Sequence, residues 1–434
     1  MYNLKYNLII LVNFMKIKVK KISYEELLTK KAKPYAKPKK PNIFFRTLLK
    51  IVSMPDLWNA GFKTTRELKQ LMKKEPCLIL MNHSSFIDLE IIESMVYPKP
   101  LNIICTTDGF IGKNWLMREI GCIPTKKFTT DTQLVKKMLT TIKKLKSSIL
   151  LYPEAGYSID GTSTTLPTNL GKLVKMLKVP VITVISEGAY HRQPLYNELI
   201  KRDVKVNANV NLLINKDEIE NKKENEIQQM IEDAFTFDNW KWQQENNIII
   251  DHPQRAKGIN RFLYKCPHCM AEGNMKGENH TLTCPNCGKV YELTTNGFIK
   301  AISGETEINH IPSWYLWERE CVKKEILEGK YNVEEDVEIY MMIDTYNVYS
   351  LGDGHLIHNE EGFKLTAFDG KLECVVPSKL TYSINADFYW YQIADVITLN
   401  DNKFSYFCFP KGNKDIVAKM RLATEELFKI KNNK

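Results

Sequence analysis

Long apolar runs are missing from this chain: no stretch approaches the roughly 20 residues a helix needs to cross a bilayer, which argues against an integral helical membrane protein. The run from Leu8 to Phe14 is short, is interrupted by Asn13 and is followed by no small-residue cleavage site, so it does not read as an export signal. Met15-Lys16-Ile17-Lys18 reads equally well as an ordinary start. Acidic residues are scarce near the beginning. Residues 1–50 hold thirteen Lys/Arg against Glu25 and Glu26 alone, so the net charge of +10 sits on this segment and the remaining chain is close to neutral. A positive field of that kind points to an anionic partner, nucleic acid or an acidic lipid surface, with a solvated tail as the plain alternative.

What is present fits a soluble globular protein of several domains. The 434 residues exceed what one hydrophobic core sustains, and the 44% apolar and 26% charged composition is ordinary. Of the ten cysteines, four form two Cys-x-x-Cys pairs, whereas Cys77, Cys105, Cys122, Cys321, Cys374 and Cys408 lie singly. Without an export signal the single cysteines read as buried thiols in a reducing compartment.

The first 41 residues read as a basic N-terminal segment, its Lys/Ala/Pro-rich part from Lys30 to Pro41 a flexible linker. From Ile43 to Val52 bulky apolar groups fall on one helical face, and Arg46 and Lys50 share another. Such a helix can lie in a lipid headgroup layer or pack on its own domain. Between Pro76 and Ile214, apolar runs at Cys77–Met81, Asn102–Cys105, Ser148–Tyr152 and Val179–Ile185 alternate with helical patterns at Thr132–Lys146 and Leu170–Leu177. This alternation predicts an α/β domain over residues 42–250, a mixed sheet flanked by helices, with its active edge beyond the strand carboxyl ends. A small metal module follows at 260–295 and a connecting helix at 296–330. Residues 331–434 then show short strands and a closing helix, which resembles a pleckstrin-homology-like architecture.

Two motifs fall on the predicted edge. Asn82-His83-Ser84-Ser85-Phe86-Ile87-Asp88 ends a strand and opens a helix that Ser84 or Ser85 can cap. Asp88 can return to His83 at such a bend, fix its tautomer and stabilise the imidazolium. A capping histidine beside a solvated aspartate explains the pair as well. No elbow-type serine or cysteine nucleophile lies nearby, so the proton that His83 takes would come from the substrate's own hydroxyl. Tyr152-Pro153-Glu154-Ala155-Gly156-Tyr157-Ser158 follows a second apolar strand and brings a carboxylate, a turn and hydroxyls.

In these residues the sequence resembles the glycerolipid acyltransferase family, whose best-known members are the 1-acylglycerol-3-phosphate acyltransferases. The family's Asn-His-x-x-x-x-Asp is matched by Asn82, His83 and Asp88, and its Phe-Pro-Glu-Gly-Thr-Arg-Ser by Tyr152–Ser158. Its Gly-rich phosphate-binding segment corresponds to Gly121–Lys127, and a Pro-containing strand to Val179–Ile182. The resemblance covers roughly residues 45–240. It implies a phospholipid-synthesis reaction in which His83, oriented by Asp88, activates a lysolipid hydroxyl toward acyl-CoA or acyl carrier protein. It further implies acceptor binding by Asn82, Ser84, Lys126, Lys127, Glu154, Gly156, Tyr157 and Ser158, at the inner, cytoplasmic face of a membrane with anionic lipids. Three positions depart: the family's motif glycine is Ala155, its motif arginine is Tyr157, and its other arginine is Lys127. Lysine cannot fork onto a phosphate as guanidinium does, so the acceptor stays open.

Cys266-x2-Cys269 and Cys284-x2-Cys287, with fourteen residues between the pairs, have zinc-ribbon spacing. Four thiolates close the coordination sphere, so a structural zinc is expected, with iron in a rubredoxin-like site as the lesser reading and His268 and His280 as bystanders. A ribbon that binds nucleic acid on a degenerate acyltransferase scaffold is the rival function. Only Lys276 is basic between 266 and 287, against Glu272 and Glu278, and aromatics are absent, so this is a poor phosphate or base surface.

Overall fold

The runs Leu78–Met81 and Ser148–Leu151 have almost no exposure on either face, the condition of a strand inside a sheet covered on both sides. The computed structural model describes residues 17–433 except 73–74, 130–131, 402 and 413–414. The Leu8–Phe14 run and the alternative start at Met15 lie outside the described residues. Among the described residues the strands form sheets of seven, four and eight.

The seven-stranded sheet runs Lys63–Thr64, Asn207–Ile214, Val181–Glu187, Leu78–Met81, Ser148–Leu151, Leu101–Thr106, Cys122–Thr125. Its neighbours are parallel except Val181–Glu187 with Asn207–Ile214, so the sheet is mixed. Side-chain alternation splits the core. Ile79 and Met81 point to the layer of Ile43–Asn59 and Ile87–Val96, while Leu78 and Leu80 point to that of Thr132–Lys143, Leu170–Leu177 and Glu224–Ala234.

The helix Ile43–Asn59 packs on its own domain along one side and leaves an apolar stripe on the other. Arg46, Ser53, Asp56 and Leu57 are buried. Ile43, Phe44, Leu48, Ile51, Met54 and Trp58 are exposed, Trp58 at 87%. Arg46 therefore does not share a surface with Lys50: its guanidinium meets Glu93 at 2.8 Å and donates to the carbonyls of Pro98 and Lys99. A buried carboxylate needs such a partner, and Arg supplies a fork. No helix among the described residues is long and apolar enough to cross a membrane.

The Cys-rich module is an antiparallel sheet of Lys276–Glu278, Thr281–Thr283, Val290–Leu293 and Ile299–Ala301. Ile311–Leu327 follows, and Trp314 is buried against Tyr291 with its indole N–H on the Lys265 carbonyl at 3.0 Å. In the eight-stranded sheet, Asn332–Met342, Val348–Asn359, Gly362–Ala367 and Leu372–Pro377 form an antiparallel meander. Asn385–Trp390, Ala394–Asn400 and Ser405–Pro410 form a second, joined to the first where Ser405–Pro410 pairs with Asn332–Met342. The helix Ile416–Lys431 packs Val417, Met420, Leu422 and Leu427 into the same core as Val337, Ile339 and Leu356.

The basic segment is not a free tail where it is described. Val19–Lys21 adds to the eight-stranded sheet, parallel to Val348–Ser350, and Leu27 of the following short helix is buried. Residues 31–41 have neither helix nor strand. They are nonetheless tied down, through the Lys33 amide on Asp344, the Lys39 carbonyl on Asn102 and the Lys39–Glu119 ion pair. The physical reason is main-chain pairing plus burial of Ile17, Val19 and Ile22 against the sheet.

Arg46→Ala leaves Glu93 buried without its cation and is expected to cost about 3–5 kcal/mol in urea unfolding, whereas Lys178→Ala, at an exposed pair with Glu220, should cost under about 1 kcal/mol.

Candidate active site

His83 follows Leu78–Met81, Glu154 follows the neighbouring parallel strand Ser148–Leu151, and both loops leave the carboxyl edge of the sheet. Asp88 is fully buried in the first turn of Ile87–Val96, where a charge must be met by donors. Its Oδ2 accepts from the backbone N–H of Ser84 (2.7 Å) and Ser85 (2.9 Å) and lies 2.9 Å from His83 Nδ1. Its Oδ1 accepts from Ser186 Oγ at 3.4 Å. The Asp88 carboxylate thus gathers the two amides of the loop that precedes the helix. The helix has no side-chain cap bond, and the Ser84 and Ser85 hydroxyls are buried without a partner among the described residues. With Nδ1 on Asp88, the basic nitrogen of His83 is Nε2, which bonds to none of the described residues. Asn82 is buried and exchanges bonds with Ser186, Nδ2 to its carbonyl at 3.0 Å and Oδ1 from its N–H at 2.7 Å. It locks the bend to the next strand.

The His83 ring packs on Tyr152 (centroids 4.0 Å apart, 23° between planes) and on Tyr157 (4.2 Å, 39°), and Tyr157 meets Phe86 edge-on. Glu154 is buried and its oxygens are both engaged, Oε2 by the His83 N–H at 3.1 Å and Oε1 by the Thr164 N–H at 3.0 Å. Burial pushes its carboxyl up to about 7 against those bonds. Glu154 therefore braces the two loops together. Ser158 completes the brace: its N–H donates to the His83 carbonyl at 2.8 Å and its hydroxyl to the Thr162 carbonyl.

Lys126 and Lys127 come after Cys122–Thr125, at the same edge, and both ammonium groups meet the C-terminal domain. Lys126 Nζ donates to the carbonyls of Asp401 (3.0 Å) and Phe404 (3.3 Å), and Lys127 Nζ to Asn385 Oδ1 at 2.9 Å. Lys127 also passes Gly156, where an added Cβ would sit 3.9 Å from its Nζ. His83, Asp88, Glu154, Gly156, Tyr157, Ser158 and Lys127 are thus brought together. Tyr152, Ser186 and the C-terminal strand Asn385–Trp390 belong to the same neighbourhood and were not anticipated. Tyr152 stands within the motif, but the other two lie in segments with no signature.

The sulfurs of Cys266, Cys269, Cys284 and Cys287 lie within 4.8 Å of one another, with 3.9 Å between Cys266 and Cys287 and 3.6 Å between Cys269 and Cys284. Zinc–thiolate bonds of about 2.3 Å in a tetrahedron give sulfur separations of about 3.8 Å, so this donor set fits the metal. Each pair turns in a knuckle, the Met270 and Gly288 amides returning to the carbonyls of Cys266 and Cys284. His268 binds Glu307 instead of joining the cluster.

Ala155 holds φ = 55°, a left-handed conformation that costs a residue with a Cβ about 1–2 kcal/mol. Glycine relieves this but loses more entropy on folding. Ala155→Gly is therefore expected to raise stability by up to about 1 kcal/mol in thermal or urea unfolding, and a clear loss would contradict the strain.

Residues 63–187 match the family model described as Acyltransferase. No curated protein matches the chain. Among solved structures, the crystal structure of the 1-acyl-sn-glycerophosphate (LPA) acyltransferase PlsC from Thermotoga maritima is similar, at 15% identity over 44% of this chain and 76% of that one, with a TM-score of 0.35. The matched span contains His83, Asp88, Lys126, Lys127 and Glu154, and residues 63–187 are an acyltransferase-family domain.

Proposed function

We propose that the protein transfers a fatty acyl chain from acyl-CoA or acyl carrier protein to the hydroxyl of a lysophospholipid or related lipid, in phospholipid biosynthesis. The observation that carries this reading is the His83 Nδ1–Asp88 bond of 2.9 Å at the sheet's carboxyl edge, with Nε2 left to accept a proton. Nε2 takes the acceptor's hydroxyl proton, and Asp88 stabilises the imidazolium that results. The alkoxide attacks the thioester carbonyl, and collapse of the tetrahedral adduct expels the thiolate, which recovers the proton from His83. Glu154 and Ser158 contribute by holding the His83 backbone. Tyr152 and Tyr157 fix the plane of the ring.

In this reading the reaction takes place at an anionic membrane surface, on its cytoplasmic face. Support comes from the stripe Phe44, Leu48, Ile51, Met54 and Trp58, with Trp115 exposed nearby and in contact with Phe45. The eight-stranded domain is read as pleckstrin-homology-like, which its four-strand and three-strand meanders and terminal helix support. The four cysteines are read as holding a structural zinc that joins two knuckles and supplies no chemistry.

His83→Ala and Asp88→Asn are each expected to lower acyl transfer by about 10²–10⁴-fold in an assay with labelled acyl-CoA or acyl carrier protein and a panel of lysolipids. Retained activity in folded His83→Ala protein sinks the reading. Purified protein should carry about one zinc per chain. Cys284→Ser should release it and lower the unfolding temperature, and an unchanged metal content would contradict the tetrathiolate site.

A further inference from the structure

Lys127 is gripped by a domain other than its own. Asn385, buried at the start of the strand Asn385–Trp390, stands directly across from Thr398 on the next strand. Its Nδ2 donates to Thr398 Oγ1 at 3.0 Å, and this bond aims Oδ1 at Lys127 Nζ, 2.9 Å away. Asn400 holds the other end of the same lysine, its Nδ2 donating to the Lys127 carbonyl at 3.1 Å. The ammonium so held reaches the active edge. A Cβ built on Gly156 would lie 3.9 Å from Nζ, and the next residue, Tyr157, packs on the His83 ring with centroids 4.2 Å apart.

The chemistry of the grip points to its use. A lysine that only fastens two domains is best served by a carboxylate, which cancels its charge. Lys127 meets an amide oxygen instead, and it forms no ion pair with a carboxylate among the described residues. Asp387, two residues along the strand, is near enough to act on it electrostatically. Burial pushes that carboxyl up to about 7, so near neutral pH it offsets only part of the lysine's charge. An ammonium has three N–H groups, and Asn385 takes one of them. A cation that is oriented but not cancelled, beside the residue that precedes Tyr157, is a seat for a phosphate. Both the headgroup of an acceptor lipid and the CoA or carrier-protein donor bring such a group.

We propose that Asn385 is a positioning residue, lent to the acyltransferase site by the C-terminal domain, that aims the Lys127 ammonium at a substrate phosphate while leaving its charge intact. This rests on the acyl-transfer reading of His83.

The test uses the full chain, acyl-CoA and three acceptors: lysophosphatidate, lysophosphatidylethanolamine and 1-monoacylglycerol. Asn385→Asp keeps the shape of the side chain and its bond to Lys127 but sets a carboxylate against the ammonium. It is expected to raise KM for the substrate whose phosphate Lys127 holds by about five- to tenfold, with kcat within about twofold of wild type. A rise confined to the two phosphate-bearing acceptors assigns the acceptor headgroup, and a rise for acyl-CoA with every acceptor assigns the donor. In a Lys127→Met background the same substitution should leave KM unchanged, because the group it acts through is gone. A joint with no part in binding behaves otherwise, since the new ion pair would steady the interface and leave KM where it was. Unmoved KM values in folded Asn385→Asp protein, or an equal rise without Lys127, overturn the role of Asn385. Should Asn385→Asp fail to fold by near-UV circular dichroism, Asn385→Ala carries the same expectation and the same refutation. Wild-type protein that transfers to none of the three acceptors overturns the acyl-transfer reading, and this inference with it.

Discussion

The buried carboxylate of Asp88 is the constraint around which the rest of the site is arranged. A charge so enclosed survives only where donors surround it, and the chain supplies two backbone amides, an imidazole N–H and the Ser186 hydroxyl. Those donors fix the bend between strand and helix and so fix where His83 points. Asn82 then ties the bend to the adjacent strand, and Glu154 ties it to the loop on the other side. The histidine is held by neighbours that are themselves held, which fixes the direction of its Nε2.

Around this rigid centre the charge distribution is set by two domains rather than one. The acyltransferase sheet contributes Lys126, Lys127 and Asp108, and the C-terminal sheet answers each of them with carbonyls, an amide or an indole N–H. The hydrogen-bond partners this interface gives these three side chains are neutral groups: two carbonyls, an amide oxygen and an indole N–H. A lysine that would serve as a phosphate ligand on a bare sheet edge becomes part of a joint between domains.

The parts legible in the sequence were those written by local spacing. Four-residue to seven-residue apolar runs marked four of the seven strands of the first sheet to within two or three residues, because a strand buried on both faces is mostly apolar; Lys63–Thr64, Cys122–Thr125 and Asn207–Ile214 carried no such run. The five-residue step from His83 to Asp88 and the Cys-x2-Cys pairs were legible for the same reason. Contacts made across the chain were not. Arg46 looks in sequence like any surface arginine, because its partner Glu93 belongs to another helix. Asn385 carries no motif and reaches Lys127 only through docking of a separate domain. Neither Ser84 nor Ser85 caps the helix; their amides turn to Asp88 instead, because a carboxylate can take several amide donors at once. The alternation Ile17-Lys18-Val19-Lys20 is a strand signal hidden by its charge, which drew attention to partners outside the molecule.

That short strand has a consequence for how the protein is made. Val19–Lys21 pairs with Val348–Ser350, so the chain enters the eight-stranded sheet, leaves to build the acyltransferase and cysteine-rich parts, and returns to complete it. On a ribosome adding about 5–20 residues per second, the partner emerges tens of seconds after the strand. During that interval the segment must wait unpaired while the central domain folds. Its lysines suit the wait, since charge along an open strand discourages pairing with another copy. Assembly from the middle outward, with the first segment seated among the last, is the order this topology demands.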